Sequence, residues 1–327
     1  VDTIVGTCFT PCPQKNDFSI SRNPCSPFDI TLLSNSSGFN NIRWDFGDGN
    51  SAFGTTNTTH TYSNAGNYQI VMISDYPSCS DTVKKTVTID IQNDNLLIAT
   101  NDTTICFGAT KQLLTSPALS FCWTPTTYLN NPSSPNPITS TPQNITYYYV
   151  AEITGNNIIT NGSFNGGNTG FTSQYTYANP NVTEGQYFVG TNPQAWNPSL
   201  SVCTDHTTGT GNMMLVNGSP TADVKVWTQT VTITPNTNYA FSTWIQALWP
   251  PNPAQLQFSI NGNTIGSLIT ATLPTCTWTQ FYTTWNSGSS ISAVISIVNK
   301  NTQVIGNDFA LDDISFAPVF MKRDSVK

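Results

Sequence analysis

The sequence predicts an all-β protein built from several small sandwiches. Only 9% of its 327 residues are charged, while Thr, Asn, Ser, Gly and Pro are abundant, a composition that suits short strands and polar turns. Apolar residues alternate with polar ones, as at Tyr239, Phe241 and Ile245, which is typical of half-buried strands. The 12 Tyr, 17 Phe and 8 Trp are enough to fill several thin cores.

The length and the changes of pattern along the chain predict more than one domain. Compact domains usually hold roughly 100–200 residues, and polar stretches and shifts in strand pattern place boundaries near 92 and 155. The predicted modules are therefore 1–92, 93–155 and 156–318. Residues 319–327 are predicted to begin a following module or a linker.

The first module contains a strand whose apolar residues all lie on one face, followed by a tight turn. Ile42, Trp44 and Phe46 share one face before the glycines of the motif WDFGDG. Together with the later motifs THTY and AGNY, this motif resembles the PKD domain. The resemblance implies an immunoglobulin-like sandwich. Asp45 and Asp48 are expected to stabilise the turn rather than to bind calcium or act as an acid pair.

The second module is short and rich in strands. It contains the motifs DTTICFG and CWTP, a Pro- and Ser-rich stretch at 131–142, and an apolar closing strand from Tyr147 to Val150. This arrangement resembles the short Ig-like repeats of large secreted Bacteroidetes proteins. No residue of this module is predicted to carry chemistry.

The third module is marked by three fragments. NGSF occupies 161–164, DHTTGTGNMM occupies 205–214, and GNDFALDDISF occupies 306–316. They resemble the start, middle and end of a jelly-roll sandwich of the MAM or carbohydrate-binding-module type. The resemblance implies a jelly roll over 156–318 and a function in binding.

The same fragments predict a structural calcium site. Asp312 shares strand parity with Ile314 and Phe316, so its carboxylate is expected to face the sandwich interior, where a cation would relieve an unpaired charge. The resemblance implies ligands at the same positions, although the family commonly has Glu where this chain has Asn165. In the alternative reading, the aspartates only cap turns and accept backbone hydrogen bonds. The candidate ligands are Asn165, Asp205, Asp312 and Asp313.

Sugar recognition requires aromatic platforms flanked by amide or carboxyl groups. Trp196 and Trp249 lie in Pro-rich loops and are expected to be exposed contact residues. Trp244, Gln246 and Gln257 are predicted to lie on an outer sheet face, because the aliphatic residues of their strands face the core. The expected partner is a polysaccharide, a surface glycan or another surface protein.

The eight cysteines predict disulfides in an oxidising compartment, which places the protein outside the cell or on its surface. The preferred pairs are Cys8 with Cys12, Cys25 with Cys79, Cys106 with Cys122, and Cys203 with Cys276. Exchange of partners between the first two pairs stays open.

The charge and the motifs exclude several functions. The net charge of −7 disfavours nucleic acid, no apolar run approaches the ~20 residues of a membrane helix, and no catalytic motif is present. We therefore expect a non-enzymatic chain. The series of a PKD-like, a short Ig-like and a jelly-roll module resembles the cell-surface adhesins that gliding Bacteroidetes export by the type IX route, and this resemblance implies a fragment of such an adhesin. The alternatives are a carbohydrate-targeting region of a secreted polysaccharide hydrolase and a purely structural stalk segment.

Overall fold

The computed structural model describes residues 16–140 and 143–327. The chain divides into two compact units. Unit 1 ends at Ile153 and also includes Phe320–Lys327, whereas unit 2 spans Thr154–Val319. Within the described ranges, no helix is long and apolar enough to cross a membrane.

The first part of unit 1 is a sandwich of two antiparallel sheets. One sheet has the strand order β1-β2-β5 and the other has the order β4-β3-β6-β7. Their facing side chains form a single core that includes Phe18, Trp44 and Met72. The strands are β1 (Phe18–Asn23), β2 (Ser26–Ser34), β3 (Asn41–Asp45), β4 (Ser51–Phe53), β5 (Asn57–Thr61), β6 (Gly66–Asp75) and β7 (Ser80–Ile89).

The turn after β3 is held by its own acidic residues. Gly47 has a φ of 79°, and an added Cβ would lie 2.6 Å from the Gln69 carbonyl oxygen, so only glycine fits. Asp45 accepts a hydrogen bond from the Gly47 N–H at 2.9 Å. Asp48 Oδ2 lies 2.7 Å from His60 Nε2. These contacts agree with the turn-stabilising roles expected for both aspartates.

The second part of unit 1 is a smaller β assembly with its own core around Trp123, Tyr149 and Val326. Val326 comes from the end of the chain, and Lys322 pairs in parallel with Gln92. Residues 320–327 thus complete unit 1, a placement that differs from the expected linker or following module. The additional strands are β8 (Gln92–Asn93), β9 (Lys111–Gln112), β10 (Ser120–Thr124), β11 (Ile138–Thr139) and β12 (Tyr147–Thr154).

The disulfides differ in part from the predicted pairing. Cys203 bonds to Cys276 as predicted, but Cys25 bonds to Cys122, so the predicted pairs 25–79 and 106–122 are wrong. Cys79 is also disulfide-bonded. Pairing could not be read from the sequence because the bridge joins two strand regions 97 residues apart.

Two cysteine predictions have other outcomes. The predicted pair of Cys8 and Cys12 lies outside the described residues. Cys106 is a free, exposed thiol, so its assignment to a disulfide is wrong.

Unit 2 is a sandwich of two larger sheets. The front sheet has the order β13-β14-β15-β22-β17-β20, and the back sheet has the order β16-β21-β18-β19. Its elements are β13 (Thr176–Tyr177), β14 (Gln186–Gly190), α1 (Pro193–Trp196), β15 (Met213–Asn217), β16 (Lys225–Thr232), β17 (Asn238–Ala247), β18 (Gln255–Ile260), β19 (Asn263–Thr270), β20 (Thr279–Asn286), β21 (Ser292–Asn299) and β22 (Asp308–Val326).

The main core of unit 2 fills the space between these sheets. Tyr239, Phe241 and Ile245 of β17 and Leu256 and Phe258 of β18 all belong to it, which confirms the predicted inward parity of both strands. This sandwich provides the rigid sheet on which the candidate site is built.

A second, smaller core lies on the outer face of the front sheet. Met213 and Leu215 of β15 alternate with residues of the main core and pack against Trp196 and Leu200 from the segment between β14 and β15. Because both faces of β15 are covered, its apolar run Met-Met-Leu-Val is buried throughout.

Candidate functional site

A β-bulge decides the direction of Asp312. Trp244 lies opposite Asp312 and Ser242 opposite Ser315, so β22 has one residue more than β17 between these pairs. Asp313 adopts a φ of 47° at this point. Leu311 and Ile314 both face the main core, and Asp312 therefore points to the outer face of the front sheet. The prediction that its carboxylate faces the sandwich interior is wrong, because the bulge shifts the strand parity.

The segment around His206 covers Asp312 and buries it completely. Asp312 Oδ2 accepts a hydrogen bond from the His206 N–H at 2.9 Å, and Oδ1 accepts one from the Asp313 N–H at 2.8 Å. Burial, with a smaller contribution from the Asp313 charge, raises the pKa of Asp312 to about 6. The carboxylate is thus held in a site that disfavours its charge.

Asp205 binds the backbone of its own loop, which is the segment around His206 that covers Asp312. Its two carboxylate oxygens accept hydrogen bonds from the Thr208 N–H at 2.8 Å and the Gly211 N–H at 2.6 Å. Burial alone would raise the pKa of Asp205, but these hydrogen bonds outweigh it and hold the pKa below its ordinary value. Asp205 therefore fixes the shape of the loop that lies over Asp312.

His206 joins this acidic region to an aromatic cluster, which we define as His206, Trp244 and Trp278. The His206 ring stacks on Trp244 with centroids 3.9 Å apart and meets Trp278 edge-on at 5.7 Å. Its Nδ1 lies 2.7 Å from Asp313 Oδ2. The strand β17, the bulge of β22 and the segment before β20 thus meet at one point on the sheet.

The four predicted calcium ligands lie in the same region. Asn165 Oδ1 and Asp205 Oδ2 would lie 3.2 Å and 2.9 Å from a Cβ added at Gly211, which places both side chains beside the same glycine. Asp312 and Asp313 are adjacent on the bulge and contact His206, the next residue after Asp205.

The carboxylates of this region already have hydrogen-bond partners. All six oxygens of Asp205, Asp312 and Asp313 take part in hydrogen bonds. In the described ranges, no group of three or more His, Cys, Asp or Glu side chains is arranged for a metal ion. Calcium at this site stays a prediction.

The two tryptophans predicted to be exposed contact residues are both at least partly buried. Trp196 is only 1% exposed, and its Nε1 donates to the Ala178 carbonyl at 2.8 Å, so the expected exposure is wrong. The Pro-rich loop forms the short helix α1, capped by Asn192, which turns the indole onto the front sheet. Trp249 is partly buried against the same outer core.

The two predicted glutamines do not join Trp244 on an open surface. Gln246 lies on the outer face of β17 but is fully buried, and its Nε2 donates to the Thr204 carbonyl at 3.1 Å. Gln257 lies on the back sheet, where its Nε2 donates to the Ile265 carbonyl at 3.2 Å. Because β17 and β18 belong to different sheets, Trp244 and Gln257 lie on opposite faces of the sandwich.

An open surface remains on the outer face of β17 and β20. Ser242 pairs with Tyr282 and Trp244 pairs with Gln280, so the four side chains share one face. Tyr282 is 44% exposed. We call these four residues the open half of the front sheet, and the region under Trp196 and the 197–212 segment the covered half.

Sequence reasoning missed Tyr282, Gln280 and His206 as members of this surface. A signal for Tyr282 and Gln280 was present, because β20 alternates Gln280 and Tyr282 with the buried Phe281. No local signal indicated His206, whose place depends on the fold of its loop over another strand.

A comparison with known protein families finds one match, in the first part of the chain. Residues 14–91 match the PKD domain family. The PKD1 domain of the Vibrio cholerae metalloprotease PrtV is similar at 22% identity with a TM-score of 0.21, over 24% of this chain and 96% of that chain. No curated protein matches the chain.

A second solved structure is similar to about half of the chain. It is the CBM22-1 xylan-binding domain of Paenibacillus barcinonensis Xyn10C, with 15% identity and a TM-score of 0.34, over 49% of this chain and 92% of that chain. The predicted fold class, all-β with Ig-like sandwiches followed by a jelly roll, is confirmed.

Proposed function

We propose that the chain is a non-catalytic binding fragment of a secreted surface protein, and that the open half of the front sheet in unit 2 binds a carbohydrate. The observation that carries this proposal is the pairing of Ser242 with Tyr282 and of Trp244 with Gln280 on one accessible sheet face. Aromatic rings stack on the apolar C–H faces of sugars, and the amide and hydroxyl groups beside them suit sugar hydroxyls.

The surroundings of Trp244 support such a site. His206 stacks on one side of the indole, and the His206–Asp313 hydrogen bond holds the imidazole in place. Trp244 lies on a strand and the Asp313 hydrogen bond restrains His206, and groups held in place before a ligand arrives lower the entropic cost of binding.

The attachment role rests on the remaining modules and on the disulfides. The bridges Cys25–Cys122 and Cys203–Cys276 are typical of an oxidising, extracellular setting. In this proposal, the PKD domain and the short β assembly of unit 1 act as spacers in an adhesin that is exported by the type IX route. Both histidines pair with aspartates and stack on aromatic rings, Phe46 for His60 and Trp244 for His206, which suits structural roles.

A structural Ca²⁺ at Asp205, Asp312 and Asp313 is the second part of the proposal. Its support is the charge of the region, because these three acidic side chains face only one basic partner, His206, among the described ion pairs. Asn165 and nearby backbone carbonyls would supply further oxygens. We expect chelation to lower the melting temperature of the full chain and Asp312→Ala to remove that dependence. Equal melting with and without chelator in the unmodified chain would contradict the site.

Glycan-array screening followed by titration with the bound glycan tests the binding site. We expect Trp244→Ala and Tyr282→Ala each to weaken binding by at least about fivefold, taking as a guide the roughly 1–3 kcal/mol that an aromatic side chain contributes when a nucleic-acid base stacks on it. Tyr177→Ala is the matched control, because Tyr177 is also exposed on the front sheet but lies on β13. Unchanged binding in both site variants would contradict the site.

The same array separates the alternatives. Selective binding to one plant or algal polysaccharide would favour the targeting region of a secreted hydrolase. Absence of any glycan signal would favour a structural stalk.

A further inference from the structure

The charged residues of unit 2 are unevenly distributed between its two sheets. From 154 to 319 the chain has six Asp or Glu residues but only two Lys or Arg residues, Lys225 and Lys300. Lys225 begins β16 and Lys300 follows β21, and both strands belong to the back sheet. Lys300 is also paired with Asp223. Within 154–319, the front sheet therefore contains no lysine or arginine.

The charged groups that adjoin the open half are acidic. Asp312 lies opposite Trp244 in the strand register, and Asp313 follows it on the bulge. Asp313 Oδ2 is 2.7 Å from His206 Nδ1, and the His206 ring stacks on Trp244 with centroids 3.9 Å apart. The Asp313 carboxylate is thus one imidazole ring away from Trp244. Because His206 is already paired with Asp313, a ligand at Trp244 meets a surface that is neutral or negative.

The two aromatic rings of the open half also disfavour an anion. The face of an aromatic ring carries partial negative charge and its edge carries partial positive charge. Apolar C–H groups and cations are attracted to that face, whereas a carboxylate or a sulfate is repelled by it. Trp244 and Tyr282 therefore favour a sugar ring without acidic substituents.

The polar side chains of the open half match sugar hydroxyl groups. The Gln280 carboxamide has both donor and acceptor atoms, and the Ser242 hydroxyl both donates and accepts. Sugar hydroxyls have the same double capacity, whereas carboxylates and sulfates only accept. Among the described residues, neither side chain makes a hydrogen bond to another residue. Both groups are thus available to the hydroxyls of a ligand.

An anionic glycan would remain without an opposite charge at this surface. Proteins recognise carboxylate and phosphate groups largely through the charge-assisted hydrogen bonds of Arg and Lys, and a sulfate has anionic oxygens of the same kind. Removal of such a group from water costs free energy unless a positive partner compensates it. The front sheet of unit 2 offers no such partner.

We propose that the open half is specific for neutral glycans and rejects glycans that carry carboxylate or sulfate groups. This inference rests on the proposed carbohydrate site and names the class of ligand that it takes. Gln280 is the position at which the specificity can be reversed. It lies opposite Trp244 and two residues before Tyr282 on the same strand face, so a cation there would reach a ligand that contacts both rings.

A glycan array of matched pairs, followed by calorimetric titration of the full chain at low salt, tests this proposal. Each pair shares one backbone and differs in charge: methyl-esterified and free oligogalacturonate, cello-oligosaccharides before and after oxidation to glucuronate, and galactan oligosaccharides without and with sulfate. We expect the charged member of a bound pair to bind at least about tenfold more weakly than the neutral member. Added salt should narrow the difference, because screening weakens repulsion between exposed charges.

The variant Gln280→Lys supplies the missing cation. We expect it to bind the charged member at least about fivefold more tightly than the unmodified chain does. Gln280→Met is the uncharged control and should gain no affinity for the charged member. Thr176→Lys adds the same charge at an exposed position on β13, so it controls for the net charge of the unit. Equal melting temperatures of the Gln280 variants and the unmodified chain check that folding is preserved.

Separate results distinguish a failure of this inference from a failure of the proposed function. Equal or tighter binding of the charged members by the unmodified chain would overturn the inference and leave the carbohydrate site intact. The inference would also be overturned if Thr176→Lys gained as much affinity as Gln280→Lys, or if the discrimination survived Trp244→Ala with unchanged affinity. Absence of binding to every pair would overturn the inference together with the proposed function.

Discussion

The two halves of the outer face of the front sheet differ in what covers them. In the covered half, Met213 and Leu215 pack under Trp196, and this burial contributes to stability. In the open half, Trp244 and Tyr282 lie beside polar neighbours on strands of the same sheet. The difference comes from the segment between β14 and β15, which covers one half and ends at the other. A sheet face thus becomes core or stays open according to which loop crosses it.

Two aspartates of β22 respond differently to burial. Asp312 receives hydrogen bonds from His206 and from Asp313, and burial raises its pKa to about 6. Asp308 receives none among the described residues, and burial followed by repulsion from Glu184 raises its pKa to about 7. Backbone donors make a buried charge less costly, and where they are missing an ion or a proton has to compensate.

Removal of the indole that covers the sheet should have the largest effect. Trp196→Ala deletes a fully buried side chain and its hydrogen bond to Ala178, and we expect a loss of about 3–5 kcal/mol in the free energy of unfolding of unit 2. Urea unfolding followed by fluorescence measures it. A loss below about 1 kcal/mol would mean that the covered half is not part of the core.

Opening the bridge that anchors the covering segment should have the next largest effect. The double variant Cys203→Ser/Cys276→Ser removes the Cys203–Cys276 disulfide, and we expect a cost of about 2–4 kcal/mol. Proteolysis within 197–212 should become faster. Cys106→Ser is the control, because Cys106 is exposed and unbonded, and equal destabilisation by the control would contradict this reading.

The pH dependence of stability should distinguish the two aspartates. A native pKa raised above the unfolded value means that the folded state binds more protons between those values, so stability falls as pH rises through that window. In chelator, we expect the unmodified chain to lose up to about 1.4 kcal/mol between pH 6 and pH 7. Most of this loss comes from Asp308, because its native pKa is about 7 whereas that of Asp312 is about 6.

Two matched variants measure this difference. Asp308→Asn should flatten the dependence between pH 6 and pH 7, whereas Asp312→Asn should keep it. Urea unfolding at several pH values provides the measurement. The opposite assignment of the two variants would show that the hydrogen bonds at Asp312 do not lower its cost of burial.

The smallest effect on stability is expected in the open half. Tyr282→Ala truncates a side chain that is 44% exposed, and we expect a change within about 0.5 kcal/mol, alongside the loss of glycan binding described above. Thermal unfolding of this variant provides the check. Destabilisation comparable to that of Trp196→Ala would place Tyr282 in the core and remove it from the binding surface.

Local patterns in the sequence predicted much of the fold. The alternation in β17 and β18 identified which residues face the main core, and the WDFGDG turn with its glycine at φ 79° belongs to the predicted PKD domain. These properties depend on residues that are neighbours in the chain, so a single sequence contains them.

The candidate site depended more strongly on contacts between distant residues. The predicted ligands Asp205 and Asp312 do lie in one region, but the bulge at Asp313 reversed the expected direction of Asp312. The 197–212 segment buried Gln246 and Asp312, and α1 turned Trp196 inward. Neither a bulge nor a crossing loop leaves a periodic signal.

The sequence by itself determined the all-β class, the match of residues 14–91 to the PKD domain family and the inward faces of β17 and β18, because alternation and turn residues act over a few positions. Only the tertiary structure decided the Cys25–Cys122 bridge, the return of residues 320–327 to unit 1 and the division of the front sheet into two halves. These features join segments far apart in the chain, and the free energy that selects among such pairings comes from packing of the whole sandwich rather than from local preference.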